Sequence, residues 1–269
     1  MTKTPTNGRL FAVVTGASSG IGYELAVQFA QNGFDVLVVA EDAGIRDAAQ
    51  RLSAYGGQVE NLQADLATYD GVETLYQAIR SSGRTPDALA VNAGVGTSGP
   101  FVESDLSREL NLIRLNVLSA VHLTHRVLKD MVARRSGKLL FTSSIAATAP
   151  GPFEATYNAS KAFLKFFAQA IRNELKESGV SVTTLMPGPT ETDFFRRAGL
   201  EDTKLGAKED KDDPAQVARE GFEALMDGKD HVVAGSFMNK LQATFSHVLP
   251  DTATAEIHRK QSEPGSAQK

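Results

Sequence analysis

Leu10-Phe11-Ala12-Val13-Val14-Thr15 runs directly into Gly16-Ala17-Ser18-Ser19-Gly20-Ile21-Gly22, and an amphipathic stretch follows to about Asn32. An apolar run of this length, bounded by glycine, reads as a buried strand, and the stretch after it has helical periodicity. The segment is therefore strand, glycine turn, helix. Glycines let a backbone turn tightly and come close to a phosphate, while the free amides at the helix start and its positive dipole end favour a pyrophosphate. Thr15, Gly16, Ser18, Ser19, Gly20, Ile21 and Gly22 are accordingly candidate dinucleotide-binding residues.

Outward from that turn, apolar strand runs alternate with helical periodicity, the pattern of a parallel sheet covered by helices on both faces. Strands are expected near Leu10 to Thr15, Asp35 to Ala40, Gln58 to Leu62, Ala88 to Asn92, Lys138 to Ser143, Val180 to Met186 and His231 to Ala234. The predicted fold is α/β: a Rossmann-type, doubly wound parallel sheet of about seven strands. In such sheets ligands bind outside the carboxyl ends of the strands, where the strand order reverses. Gly16, Asn92, Ser144 and Pro187 all fall just past such ends.

Tyr157 and Lys161 stand four apart in Tyr157-Asn158-Ala159-Ser160-Lys161, inside a segment that reads as one long helix. Residues so spaced share a face, and a nearby ammonium favours the phenolate, which prepares the phenol for proton exchange. Ser144 lies thirteen residues upstream of Tyr157 at a strand end. Together they outline a carbonyl redox site with Tyr157 as general acid or base.

The glycine spacing, preceded by threonine after a first strand, and the downstream Tyr157 and Lys161 resemble the short-chain dehydrogenase/reductase family, with motifs covering about Arg9 to Phe195. The resemblance implies a catalytic tetrad of Asn116, Ser144, Tyr157 and Lys161. Asn116 would hold a water in a proton relay, Ser144 would bond the substrate oxygen, and Lys161 would lower the phenol pKa and bind the nicotinamide ribose. It further assigns Asp65, with Leu66, to the adenine ring, and Asn92, Ala93 and Gly94 to the loop behind the cofactor. Val91 departs from the family, which often has asparagine there. Pro187, Gly188, Thr190 and Thr192 would approach the nicotinamide. From the residues alone, Asn116 could instead bridge backbone groups at a helix kink, and Ser144 could cap a turn.

An acidic residue about 20 positions past the glycine turn binds ribose hydroxyls, whereas arginine accommodates the extra phosphate of NADP. Glu41 and Asp42 stand there, and the basic residues that NADP-preferring members carry at the places of Ser19 and Glu41 are missing. NAD(H) is favoured, NADP(H) is possible, and Arg46 is the dissenting residue. The family's substrate lid corresponds to residues near 189–213, and Phe153, Phe194 and Phe195 could line an apolar pocket or pack in the core. The expected substrate is a small, hydrophobic carbonyl compound or secondary alcohol. The alternative is a catalytically silent dinucleotide-binding redox sensor or scaffold on the same fold. An acyl-carrier reductase would differ only in substrate.

At 269 residues the chain suits one α/β unit, since such folds run to about 250 residues undivided. The expected organisation is a flexible start at residues 1–8, one catalytic domain at 9–260 and a frayed tail at 261–269. A net charge of −4 without a basic stripe argues against nucleic acid, and the lack of cysteine excludes disulfides and thiolate chemistry. The apolar run after the polar start is shorter than the roughly 7 to 15 residues of a signal-peptide core, and no run approaches the roughly 20 apolar residues of a membrane span, so a cytoplasmic location is expected. His122 and His125 lack companions at ligand spacing, and no metal site is expected. The apolar residues of 162–168 continue the tyrosine helix; in the family this helix often meets a neighbouring subunit, which implies a homodimer or homotetramer.

Overall fold

The structure, a computed structural model, describes residues 8–236 and 249–268. Residues 1–7 of the expected flexible start lie outside the described residues. Seven strands form one sheet: β1 (Leu10–Thr15), β2 (Phe34–Ala40), β3 (Val59–Gln63), β4 (Ala88–Val91), β5 (Gly137–Thr142), β6 (Val180–Pro187) and β7 (His231–Ala234). Their order is β3-β2-β1-β4-β5-β6-β7, and every pairing is parallel. The expected strands are all present, each within a residue or so of its expected ends. The order reverses between β1 and β4, which opens a crevice above their carboxyl ends.

Nine described helices of the α type accompany the sheet: α1 (Gly20–Gln31), α2 (Gly44–Leu52), α3 (Tyr69–Ser81), α4 (Leu106–Ile113), α5 (Ser119–Arg134), α6 (Ala155–Glu174), α7 (Phe194–Ala198), α8 (Pro214–Met226) and α9 (Asp251–Ser262). Two apolar layers result because the central strands are buried on both faces. One contains Phe29, Phe34, Val36, Val38 and Phe222 beneath α1 and α8. The other contains Phe11, Leu37, Leu75, Leu89, Leu123, Phe141 and Leu164 beneath α3, α5 and α6. Strand β2 is buried at every position, as a central parallel strand requires, whereas the edge strand β3 is half exposed. Helix starts follow local chemistry: Thr68 accepts from the Gly71 amide, Asp105 from Ser107, and Asp213 from Ala215 ahead of Pro214 at the first helical position.

The tail differs from expectation. Residues 261–268 are packed rather than frayed, with Ser262 and Ser266 buried. The backbone amides of Lys204 and Leu205 donate to Ser266 Oγ and the Gln261 carbonyl at 3.0 Å, and the Ala267 amide donates to the Asp202 carbonyl at 3.0 Å. Small polar residues look like a frayed end in sequence; here they satisfy the backbone of a distant loop, which only the tertiary fold brings to them. That loop, 189–213, is closed at its base by a parallel bridge between Thr190 and Asp212, with the Asp212 amide donating to the Pro189 carbonyl at 2.8 Å.

Candidate active site

A cavity of about 390 Å³ lies over the reversal of strand order. Its floor is the glycine turn. Gly16 and Gly20 have φ of +66° and +57°, conformations that suit glycine. A Cβ on Gly16 would stand 2.8 Å from Ala93 Cα, and one on Gly22 would run into the Gly16 carbonyl oxygen. The turn is therefore packed directly against the loop after β4. Thr15 fixes that contact: its Oγ1 accepts from the amides of Asn92 and Ala93, both at 3.0 Å. Thr15 thus positions the floor from below and is not part of the cavity wall. Asn92 Nδ2 donates to the Thr15 carbonyl at 3.1 Å.

The remaining expected cofactor residues converge on the same cavity. Ser18, Ser19, Gly20, Ile21, Gly22, Glu41, Asp65, Leu66, Asn92, Ala93, Gly94, Tyr157, Lys161, Pro187, Gly188, Thr190 and Thr192 all line it. Asp42 also lines it, with its carboxylate engaged by Ser18 Oγ at 2.7 Å and by the Gly44 amide at 3.0 Å. Arg46 is exposed on α2 and does not border the cavity. The glycine floor, the amides at the start of α1 and this lining fit a nicotinamide dinucleotide.

Tyr157 and Lys161 occupy the first turns of α6, both buried. Burial pushes the Tyr157 phenol above its ordinary value; a hydrogen bond with Ser144 works in the opposite direction, and the charge of Glu154 adds to the rise. Lys161, expected to lower this phenol, has its Nζ 5.7 Å from the ring centroid and donates to the Thr142 carbonyl at 2.9 Å, while burial is the largest influence on the phenol. Burial likewise brings the Lys161 ammonium down to about 8. Ser144 both meets Tyr157 and begins a short 3₁₀ turn, its Oγ accepting from the Ala146 amide at 3.1 Å.

Asn116 lies in a π-helical turn, Arg114–Leu118, between α4 and α5. Its Oδ1 accepts from the Val95 amide at 2.9 Å, and its Nδ2 donates to the Val95 carbonyl at 2.9 Å and to Ser160 Oγ at 3.1 Å. The bridging of backbone weighed from sequence is thus present at a helix irregularity. A Cβ on Gly94 would lie 3.1 Å from Asn116 Oδ1 and 3.3 Å from Lys161 Nζ, so those two atoms border one small volume.

Of the three phenylalanines, Phe194 and Phe195 line the cavity, with the Phe194 ring centroid 5.1 Å from that of Tyr157. Phe153 is not part of the wall. Its ring lies under the Arg259 guanidinium, 5.0 Å away, and its φ is +67°. Sequence reasoning missed Ser160, Glu154 and the contribution of α9, whose Thr254, Ile257, His258 and Gln261 complete the cavity. The position of Ser160 between Tyr157 and Lys161 was a usable signal; nothing in sequence pointed to α9. Among the described residues no group of three potential metal ligands occurs, and no helix is long and apolar enough to cross a membrane.

The family model described as short chain dehydrogenase matches residues 10–202. This chain belongs to the short-chain dehydrogenase family. An uncharacterised short-chain type dehydrogenase/reductase, y4eK of Sinorhizobium fredii, is 36% identical over 80% of this chain and 85% of its own length. Other curated relatives are matched over 33% to 70% of their length. A short-chain dehydrogenase from Sphingobium yanoikuyae in complex with NADPH superposes with a TM-score of 0.78 at 29% identity, covering 83% of this chain and 87% of that one. The L-sorbose reductase of Gluconobacter frateurii, complexed with NADPH and L-sorbose, gives 0.73 at 26% identity over 84% and 96%. As a short-chain dehydrogenase the protein is an oxidoreductase of the CH–OH/C=O class with an NAD(P)-type cofactor.

Proposed function

We propose that this chain interconverts a small carbonyl compound and its alcohol, with Tyr157 as general acid and base. The observation that carries the reading is the buried Tyr157 beside the part-buried Ser144, opening into the cavity that the glycine turn floors. When bound, the nicotinamide supplies or accepts the hydride. Tyr157 gives a proton to the carbonyl oxygen in reduction and takes one from the alcohol in oxidation. Ser144 Oγ donates to that same oxygen, where negative charge develops. Lys161 brings a cation to the base of the phenol and binds a ribose hydroxyl. Asn116 Oδ1 uses one lone pair on Val95 and keeps another toward the volume it shares with Lys161 Nζ, which supports a proton relay from Lys161.

Glu41, at the end of β2, supports NAD(H), since a carboxylate there accepts from ribose hydroxyls and repels an added phosphate. The NADPH of the similar structures supports NADP(H), so both enter the test. Phe194 and Phe195 support a substrate with an apolar body, and residues 189–213 act as its lid. The test is consumption of NADH and NADPH against ketones and aldehydes, with Tyr157→Phe alongside. Turnover is expected to fall about 10²–10⁴-fold in the variant, with dinucleotide affinity kept. Equal turnover in both proteins removes Tyr157 from the chemistry. Binding without any turnover favours the sensor reading.

A further inference from the structure

Glu154 is a buried carboxylate that the redox chemistry does not require. It immediately precedes α6, three residues before Tyr157, and its charge acts on the Tyr157 phenol. Its residue exposure is 3%, yet it borders the same cavity as Tyr157. Two groups from α9 aim at a single carboxylate oxygen: His258 Nε2 at 2.9 Å and Ser262 Oγ at 2.7 Å, both to Oε2. Oε1 has no protein donor among the described residues. An ionised carboxylate accepts about four hydrogen bonds, and Oε1, which is not among the fully buried atoms left without a partner, is open to a donor entering the cavity. Around it the wall carries the apolar Leu205, Leu249, Ile257 and Phe194 together with the polar Thr254 and Gln261 of α9.

A fixed carboxylate acceptor that faces the cavity, three residues before the reacting phenol, selects for a donor. Resting on the oxidoreductase reading above, we propose that Glu154, held by His258 and Ser262, is a specificity subsite that accepts a hydrogen bond from a second, hydroxyl group of the substrate. The substrate class is then an otherwise apolar hydroxyketone or diol rather than a plain ketone or a keto acid. A substrate carboxylate would meet Glu154 charge to charge. Arg197, at the cavity edge, does not offset this, because it is half exposed and engaged by Asp193 at 3.8 Å. Sites that hydrogen-bond a substrate hydroxyl reject analogues lacking it, because the protein group is left unpaired.

The test compares three probes of equal chain length, a ketone, its hydroxyketone and its keto acid, on the full chain saturated with dinucleotide. Binding is read by calorimetry and turnover by kcat/KM, in the native protein, Glu154→Gln and Glu154→Leu, with thermal melts reporting folding. The native protein is expected to favour the hydroxyketone over the ketone by about tenfold or more, and to bind the keto acid most weakly. Glu154→Leu brings the hydroxyketone-to-ketone ratio to about one. Should that variant fail to fold, Glu154→Gln decides, by raising the keto acid relative to the ketone about tenfold. Ketone turnover without a hydroxyl preference, or ratios unchanged in Glu154→Gln, overturns the subsite and leaves the oxidoreductase reading standing. Glu154-dependent preference in binding without turnover supports the subsite and overturns the oxidoreductase reading. No binding and no turnover of any probe overturns both.

Discussion

Lys161 shows how much a functional side chain can work against the fold that holds it. Its ammonium is buried beneath Tyr157 and satisfied by one carbonyl, that of Thr142, and burial brings it down to about 8 from an ordinary 10.5. Because the folded value lies below the unfolded one, the unfolded chain binds more protons between about pH 8 and 10.5. Stability contributed by this group therefore rises with pH across that window and is lowest below pH 8. Lys161→Met is expected to abolish turnover while stabilising the dinucleotide-free protein at pH 7 by up to about 3 kcal/mol. Denaturant titrations at pH 7 and pH 9 check this: the gain should shrink at the higher pH, and an equal loss at both would refute it. The same burial raises the Tyr157 phenol, which favours its protonated form, the form that gives a proton in reduction.

At the scale of elements, two devices shape the site. The first is the π-helical turn at Arg114–Leu118, which brings Asn116 inward so that its amide spans Val95 on one side and Ser160 on the other. Ser160→Ala leaves one buried amide hydrogen of Asn116 unpaired and is expected to cost about 1–3 kcal/mol in denaturant unfolding. A change below about 0.5 kcal/mol would mean that the amide finds another partner. The second is the glycine turn against the β4 loop. Gly22→Ala drives a methyl into the Gly16 carbonyl and is expected to destabilise by about 1–3 kcal/mol and to weaken dinucleotide binding in calorimetry. Unaltered affinity would show that the turn can move aside.

For the whole molecule, α9 and loop 189–213 are tied into one wall through Asp202, Lys204, Leu205, Gln261 and Ser266. Removing residues 250–269 is expected to keep dinucleotide binding and to raise KM for every substrate; loss of dinucleotide binding would mean that the sheet itself depends on α9. The residues of 162–168 divide between two surroundings: Leu164 and Ala168 are buried against the sheet, while Phe163 and Phe166 are 41% and 64% exposed. Phe166 and Leu118 on adjoining elements leave apolar surface that a second copy would cover, and light scattering after gel filtration is expected to give a dimer or tetramer. A monomer at micromolar concentration would remove that reading.

The sequence by itself determined the sheet and most of the candidate site. Strand runs, the glycine spacing and the four-residue step from Tyr157 to Lys161 are local patterns, and a parallel α/β sheet turns local patterns at strand ends into one crevice. Glu41, Asp65, Asn92, Ser144, Tyr157 and Thr192 therefore meet where expected. Tertiary structure alone decided what depends on distant burial. Phe153 resembles Phe194 as a residue, yet its positive φ points it under Arg259 instead of into the cavity. The polar tail reads as frayed until loop 189–213 supplies its partners. Glu154 reads as an ordinary acidic helix start until α9, more than a hundred residues later, folds His258 and Ser262 over it. Periodicity records which face of an element is apolar; it does not record which remote element will cover that face, and the α9 end of this cavity is built from that second kind of contact.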